Sequence, residues 1–206
     1  MKYNTPFKPE KTYHIFNHSV GQEFLFREKA NYIYFLNLIG KYIYPIAEIY
    51  AYNLLPNHFH ILCKIKNEEK LEIRFKELYN NKEIDKDNWS KFISQQFSNC
   101  CNAYAKAYNK RYNRKGALFI DYLKRTEVDN IKYLIRLIKY IHYNAVHHEI
   151  CTYIEDWYWS SYKTILSPKS TKLNRQFIIE VFNGRKDFSK AHLESPPYYS
   201  DKLEFG

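Results

Sequence analysis

The chain has 206 residues, 45% of them hydrophobic, enough for one ordinary domain with a full core and a short appendage. Lys and Arg number 32 against 22 Asp and Glu, a net charge of +10, and 18% of residues are aromatic, including 21 Tyr. A basic, Tyr-rich chain suits a polyanion whose bases can be stacked upon. No run of 18 apolar residues predicts a membrane span, and the N-terminus lacks the apolar stretch of a secretory signal. With 5 Gly and neither GxGxxG nor GxxxxGK[ST], phosphate-cradling nucleotide loops are excluded. The cysteines Cys63, Cys100, Cys101 and Cys151 form no CxxC pair and are expected as reduced, mostly buried thiols. A cytoplasmic location is the expectation.

In chain order, Thr12 to Val20 alternates as a short strand, with Tyr13 and Ile15 set against His14, Phe16 and His18. A helix is predicted from about Arg27 to Tyr44, its stripe formed by Tyr32, Phe35, Leu36, Ile39 and Ile43, and Pro45 ends it. Ile46 to Leu55 and His58 to Ile65 read as strands joined by Pro56-Asn57, hence an antiparallel hairpin. Asn67 to Asn88 reads as a solvated helix plus loop. A helix from Ser90, the expected N-cap, to about Tyr108 is followed by the basic turn NKRYNRKG, a strand from Ala117 to Thr126, and a helix from Asp129 to Val146. Ser167-Pro168-Lys169-Ser170 signals a linker. One short helix is expected near Arg175 to Asn183, and the tail containing Pro196-Pro197 is expected to be loose. The predicted organisation is thus residues 1–166 as one α+β domain and 167–206 as an extension.

Three constellations could carry chemistry. His58 and His60, at i and i+2 on a strand, project to one face; they form either a two-point clamp for a divalent metal or polar side chains on a half-exposed strand. Tyr140 and Asn144, at i and i+4 on a helix, share a face, so a phenolate nucleophile and an oxygen ligand could stand together. His142, His147 and His148 are either further ligands and phosphate contacts or solvated helix-end residues. Lys106, Lys110, Arg111, Arg114, Lys115, Lys124 and Arg125 interleave with Tyr104, Tyr108, Tyr112 and Tyr122, reading as a nucleic-acid surface or a solubilising face.

These residues carry a family resemblance. LLPNHFHILCKI resembles the MPNHxH strand of the single-tyrosine HUH transposases, in particular the repeat-associated tyrosine transposases. YIHYNAVHHEI with EDWYWSSY is similar to their YIHxNPVxxG and WxWSSY blocks, and NKRYNRKGALF resembles their xxRxGxLF segment. The resemblance spans about residues 10 to 166. It implies a ferredoxin-like antiparallel sheet covered by helices, with the HxH on an inner strand and the tyrosine on a C-terminal helix. It further implies Mg²⁺ or Mn²⁺ held by His58, His60 and Asn144, and Tyr140 as the nucleophile. The DNA-binding residues would be Lys110, Arg111, Arg114, Lys115, Lys124 and Arg125. The activity implied is cleavage and transfer of single-stranded or hairpin DNA through a 5′-phosphotyrosine, by a monomer or a homodimer. A non-catalytic, domesticated hairpin binder and a water-using metallohydrolase are the alternatives. Departures from the family pattern are Ala145 in place of Pro, Glu149 in place of Gly, and Ile120-Asp121-Tyr122 where relatives have Gln and Arg nearby.

Overall fold

The computed structural model describes residues 4–120 and 122–194; Asp121 and the Pro196-Pro197 tail lie outside the described residues. Four strands, β1 (Thr12–His18), β2 (Ala47–Leu54), β3 (His58–Ile65) and β4 (Lys124–Val128), form one antiparallel sheet in the order β2-β3-β1-β4. The helices are α1 (Lys29–Tyr42), α2 (Glu68–Leu78), α3 (Trp89–Arg111), α4 (Ile131–His147), α5 (Tyr162–Leu166), α6 (Arg175–Val181) and α7 (Arg185–Ala191). This is the expected ferredoxin-like α+β arrangement, and the HxH strand β3 is an inner one.

The inner strands are buried on both faces. The face bearing Tyr13, Ile15, Phe59 and Ile61 is covered by α1 and α3, where Phe35 packs on Phe59 at 5.1 Å between ring centroids. The opposite face carries His14, Phe16, His18, His58 and His60 and is covered by α4. Strand β2 changes phase at Tyr50, where a bulge separates the Ile49–Cys63 and Ala51–Leu62 pairs. Because side chains alternate with period two, that one extra residue turns Asn53 onto the α4 face, opposite His60.

Helix boundaries follow local chemistry. The side chain of Glu28 accepts from the first turn of α1 while Asn31 reaches back, a reciprocal cap. Asn130 Oδ1 accepts the Tyr133 N–H at 2.8 Å to start α4. Two expectations are corrected. Helix α3 begins at Trp89 with Asn88 as N-cap, and the Ser90 hydroxyl instead accepts the Phe7 N–H at 3.1 Å, tying down the N-terminal segment. The strand expected over Ala117–Thr126 is confined to Lys124–Val128. Residues 118–120 pair with residues 18–20 at and just past the end of β1, through Val20 N–Leu118 O (3.0 Å) and Ile120 N–His18 O (2.9 Å), and Tyr122 at φ 65° breaks the extended backbone. Beyond Ser167 the structure has two short helices where one was expected, and Phe177 of α6 stacks on Tyr50 at 4.5 Å.

Helix α4 runs unbroken through Ala145 and closes in a Schellman motif: Glu149 N–H bonds Val146 O at 3.0 Å and Ile150 N–H bonds Ala145 O at 2.9 Å. Glu149 holds φ at 57°, the left-handed position that glycine fills at no steric cost. The family pattern's glycine therefore has a backbone reason, and Glu149 carries strain there. Glu149→Gly is expected to stabilise the fold by about 1 kcal/mol, read as a Tm increase of roughly 2–4 °C in a thermal melt.

Candidate active site

The site lies where α4 crosses the histidine face of the sheet. Antiparallel pairing sets His18 opposite His58 and Phe16 opposite His60. Above them α4 lowers Tyr140 and Asn144, one turn apart. Asn144 Oδ1 lies 2.9 Å from His58 Nε2, and the Tyr140 ring stands edge-on to His60 at 5.7 Å. His58, His60, Tyr140 and Asn144 are 1%, 0%, 1% and 0% exposed. The four residues expected from the sequence to carry chemistry are thus brought together in one buried cluster.

The hydrogen bonds constrain the tautomers. His58 Nδ1 is 2.8 Å from Asn57 Oδ1, and its Nε2 faces the second amide oxygen, that of Asn144. A neutral imidazole carries one N–H and can donate to only one of them. Protonation of His58, rotation of the Asn144 amide, or a cation between Nε2 and Oδ1 each resolves the contact. His60 Nδ1 lies 2.9 Å from His14 Nε2, while its Nε2 is buried with no hydrogen-bond partner among the described residues.

These atoms fit a divalent cation. Two ligands at right angles around an octahedral ion with bonds of about 2.1 Å stand about 3.0 Å apart, close to the 2.9 Å between His58 Nε2 and Asn144 Oδ1. Among the described residues no three His, Cys, Asp or Glu side chains form a complete metal cage. The donor set is two imidazole nitrogens and an amide oxygen, which leaves coordination positions for phosphate oxygens. Burial, reinforced by the neighbouring His14, His58, His18 and His148, pushes the His60 pKa well below the ordinary imidazole value and keeps it neutral, the form that binds a metal.

The sequence reading missed part of this cluster. His14 stacks beside His60 at 5.1 Å and His18 beside His58 at 4.3 Å. Their alternation along β1 was visible, but only the strand register shows which histidine each would meet. His148 packs on His58 at 4.7 Å and His147 lies 6.2 Å from Tyr140, so both border the site. His142 turns away from it. Asn53 also contributes: its amide donates to the Ile141 carbonyl at 2.7 Å, pinning the middle of α4 to β2.

The basic residues separate. Lys124 and Arg125, adjacent on β4, point to opposite faces. The Lys124 ammonium lies 5.9 Å over Phe16 on the histidine face, while Arg125 donates to Thr5 O at 2.6 Å and sits 4.5 Å over Phe7 across the sheet. Burial lowers the Arg125 pKa. Arg111 pairs with Glu28 at 2.7 Å and Arg114 with Glu23 at 2.9 Å, joining α3 to the start of α1. Those guanidiniums hold both carboxyls below the usual range. Lys110 and Lys115 are exposed and in no ion pair among the described residues. No described helix is long and apolar enough to cross a membrane.

Comparison with known proteins adds one finding. No family model matches the chain, and no curated protein matches it. A solved structure of a REP-associated tyrosine transposase bound to a REP hairpin superimposes with a TM-score of 0.53 at 15% identity, covering 82% of this chain and 86% of that one. The chain has the fold of a REP-associated tyrosine transposase. In this chain the HxH strand is an inner one of the four-stranded sheet.

Three buried histidines, His60, His142 and His192, have pKa values lowered mainly by desolvation. A histidine whose folded pKa is depressed contributes stability above its unfolded pKa of about 6.5 and loses it as pH falls below that value. Unfolding free energy is therefore expected to drop by on the order of 1 kcal/mol per histidine between pH 7 and 5.5, measured by urea titration at the two pH values.

Proposed function

We propose that this protein is a metal-dependent single-stranded DNA strand-transferase that uses Tyr140 as its nucleophile and acts beside hairpin-forming repeats. The observation that carries this reading is the meeting, on one buried face, of Tyr140 with His60 and of Asn144 with His58. The fold shared with a transposase solved on a REP hairpin supports hairpin DNA as the partner.

His58 Nε2, His60 Nε2 and Asn144 Oδ1 would hold Mg²⁺ or Mn²⁺. Bound there, the cation would draw charge from the scissile phosphate's non-bridging oxygens. The chain's own residues supply the rest. Tyr140 attacks phosphorus; its Oη–P bond forms as the P–O3′ bond breaks, and the phenolic proton is passed on to the released 3′ oxygen. The product is a 5′-phosphotyrosine and a free 3′-OH, and the phosphodiester's free energy is retained for rejoining without ATP. Asn57, through His58 Nδ1, and His14, through His60 Nδ1, orient the two imidazoles, and with Nδ1 as the donor each Nε2 lone pair would be left to hold the cation. With Tyr140 only 1% exposed, a phosphate reaches its hydroxyl only when a covering element moves aside.

The chemistry is tested by incubating labelled single-stranded hairpins with the protein and Mn²⁺ and running a denaturing gel. A protease-sensitive shifted band is expected, absent with EDTA and in Tyr140→Phe, and weakened by roughly 100-fold or more in His60→Ala. A band that persists in Tyr140→Phe would sink the assignment. Cleavage without an adduct would mean hydrolysis by water, and binding alone would mean a recognition protein.

DNA affinity should depend most on cations that no carboxylate occupies. Of the basic cluster, Lys106, Lys110 and Lys115 are exposed and in no ion pair among the described residues, whereas Arg111 and Arg114 serve the α1–α3 contact. Replacing Lys110 and Lys115 together by Ala is expected to reduce the slope of log affinity against log salt by roughly 1.5. An unchanged slope in a salt titration would remove both from the interface.

A further inference from the structure

His142 and Ser161 belong to the YIHYNAV and WYWSSY blocks, yet neither faces the site. The structure joins them. His142 Nε2 lies 2.9 Å from Ser161 Oγ, and His142 Nδ1 lies 2.9 Å from Nε2 of His192, just past α7. All three are buried, at 0%, 0% and 3% exposure for His142, Ser161 and His192.

The proton positions in this chain follow from one end. His192 Nδ1 is 2.8 Å from the Phe188 carbonyl, which can only accept, so Nδ1 carries the hydrogen and Nε2 the lone pair. His142 Nδ1–H therefore donates to His192, and its own Nε2 is left to accept the Ser161 hydroxyl at 2.9 Å, the shorter of that hydroxyl's two acceptor contacts, the other being Tyr52 O at 3.2 Å. Ser161 Oγ in turn accepts the Tyr52 N–H at 2.9 Å, which anchors the chain in β2. Tyr143 closes a second link from α4 to the same segment, its hydroxyl donating to the His192 carbonyl at 2.5 Å. Burial pushes His142 well below the ordinary imidazole value and His192 down to about 4, in keeping with two neutral rings.

The consequence falls on α4. The helix is tied to the sheet through Tyr140, Asn144 and the Asn53–Ile141 hydrogen bond, and to the C-terminal segment through His142 and Tyr143. A helix held on one side only can roll or slide. A roll of about 20° moves a side-chain tip about 5–6 Å from the axis by about 2 Å, enough to spoil a 2.9 Å contact.

We infer that His192 is a positioning residue: through His142 it sets the seat of α4, and with it the placement of Tyr140 and Asn144 over His58 and His60. The extension after Ser167 is then part of what positions the site. This inference rests on the strand-transfer reading only for its activity readout; its structural readout stands alone.

The test compares His192→Gln, whose side-chain oxygen can still accept from His142 Nδ1–H, with His192→Phe, which keeps a ring among Phe182, Phe188 and Tyr162 but accepts nothing. Nitrogen NMR of the wild type is expected to show His142 and His192 both protonated at Nδ1. In His192→Phe the Asn144 side-chain amide signal should shift, and adduct formation at saturating hairpin should fall at least tenfold, with hairpin affinity within twofold of wild type. His192→Gln should restore both. If His192→Phe does not fold by circular dichroism, Tyr143→Phe, which releases the second link, should shift the same Asn144 signal. An unmoved Asn144 signal in the folded variants, or equal losses in the Gln and Phe variants, overturns the inference. If the wild type forms no Tyr140 adduct, the strand-transfer reading fails, and the Asn144 and histidine signals still decide the positioning role.

Discussion

Everything at this site depends on how one helix sits on one sheet face. Helix α4 places an amide oxygen 2.9 Å from an imidazole nitrogen of β3 and packs a phenol against the next histidine, with almost no solvent between. Polar groups buried this deeply must be satisfied or carry a cost of a few kcal/mol each. The surrounding structure meets that demand: His14 partners His60, Asn57 partners His58, and Asn53 takes the Ile141 carbonyl. The bulge at Tyr50 belongs to the same set, since without it Asn53 would face the opposite layer. What remains is His60 Nε2, buried with no hydrogen-bond partner among the described residues, beside the 2.9 Å contact of His58 Nε2 with Asn144 Oδ1.

Charge is distributed less simply than a net of +10 implies. Two arginines of the basic run bind the start of α1 through Glu23 and Glu28, and Arg125 is folded under the N-terminal segment over Phe7. Exposed ion pairs of this kind contribute little to stability individually. Their effect here is geometric: they fix the end of α3 beside α1 and leave Lys110 and Lys115 outward. Lys124 is the one member of the expected DNA-binding set that shares a sheet face with the histidines.

The departures from the family pattern make sense as backbone chemistry. Ala145 has an N–H where proline has none, and α4 continues through it to His147. Glu149 accepts the left-handed conformation at the helix end at some cost and still closes both bonds of the cap. Neither change displaces a proposed chemical group, since Tyr140 and Asn144 sit upstream of the helix terminus.

Much of this was legible in the residues alone. The i, i+2 spacing of His58 and His60 and the i, i+4 spacing of Tyr140 and Asn144 determined which side chains share a face, because strand and helix periods are local properties of the backbone. Helical stripes located α1, α3 and α4 within a few residues, and Pro56-Asn57 marked the hairpin. Strand β4 was misplaced because Tyr122 adopts a positive φ that no alternation pattern reveals. Arg111, Arg114 and Arg125 looked alike in the sequence and differ only by the carboxylate, carbonyl or ring that folding sets beside each. Most of all, His14, His18, His142 and His192 acquired their partners through strand register and helix docking. Those contacts join residues about 40 to 50 positions apart, such as His14 with His60 and His142 with His192. Local spacing carries no information across such gaps, and only the packed tertiary structure decides them.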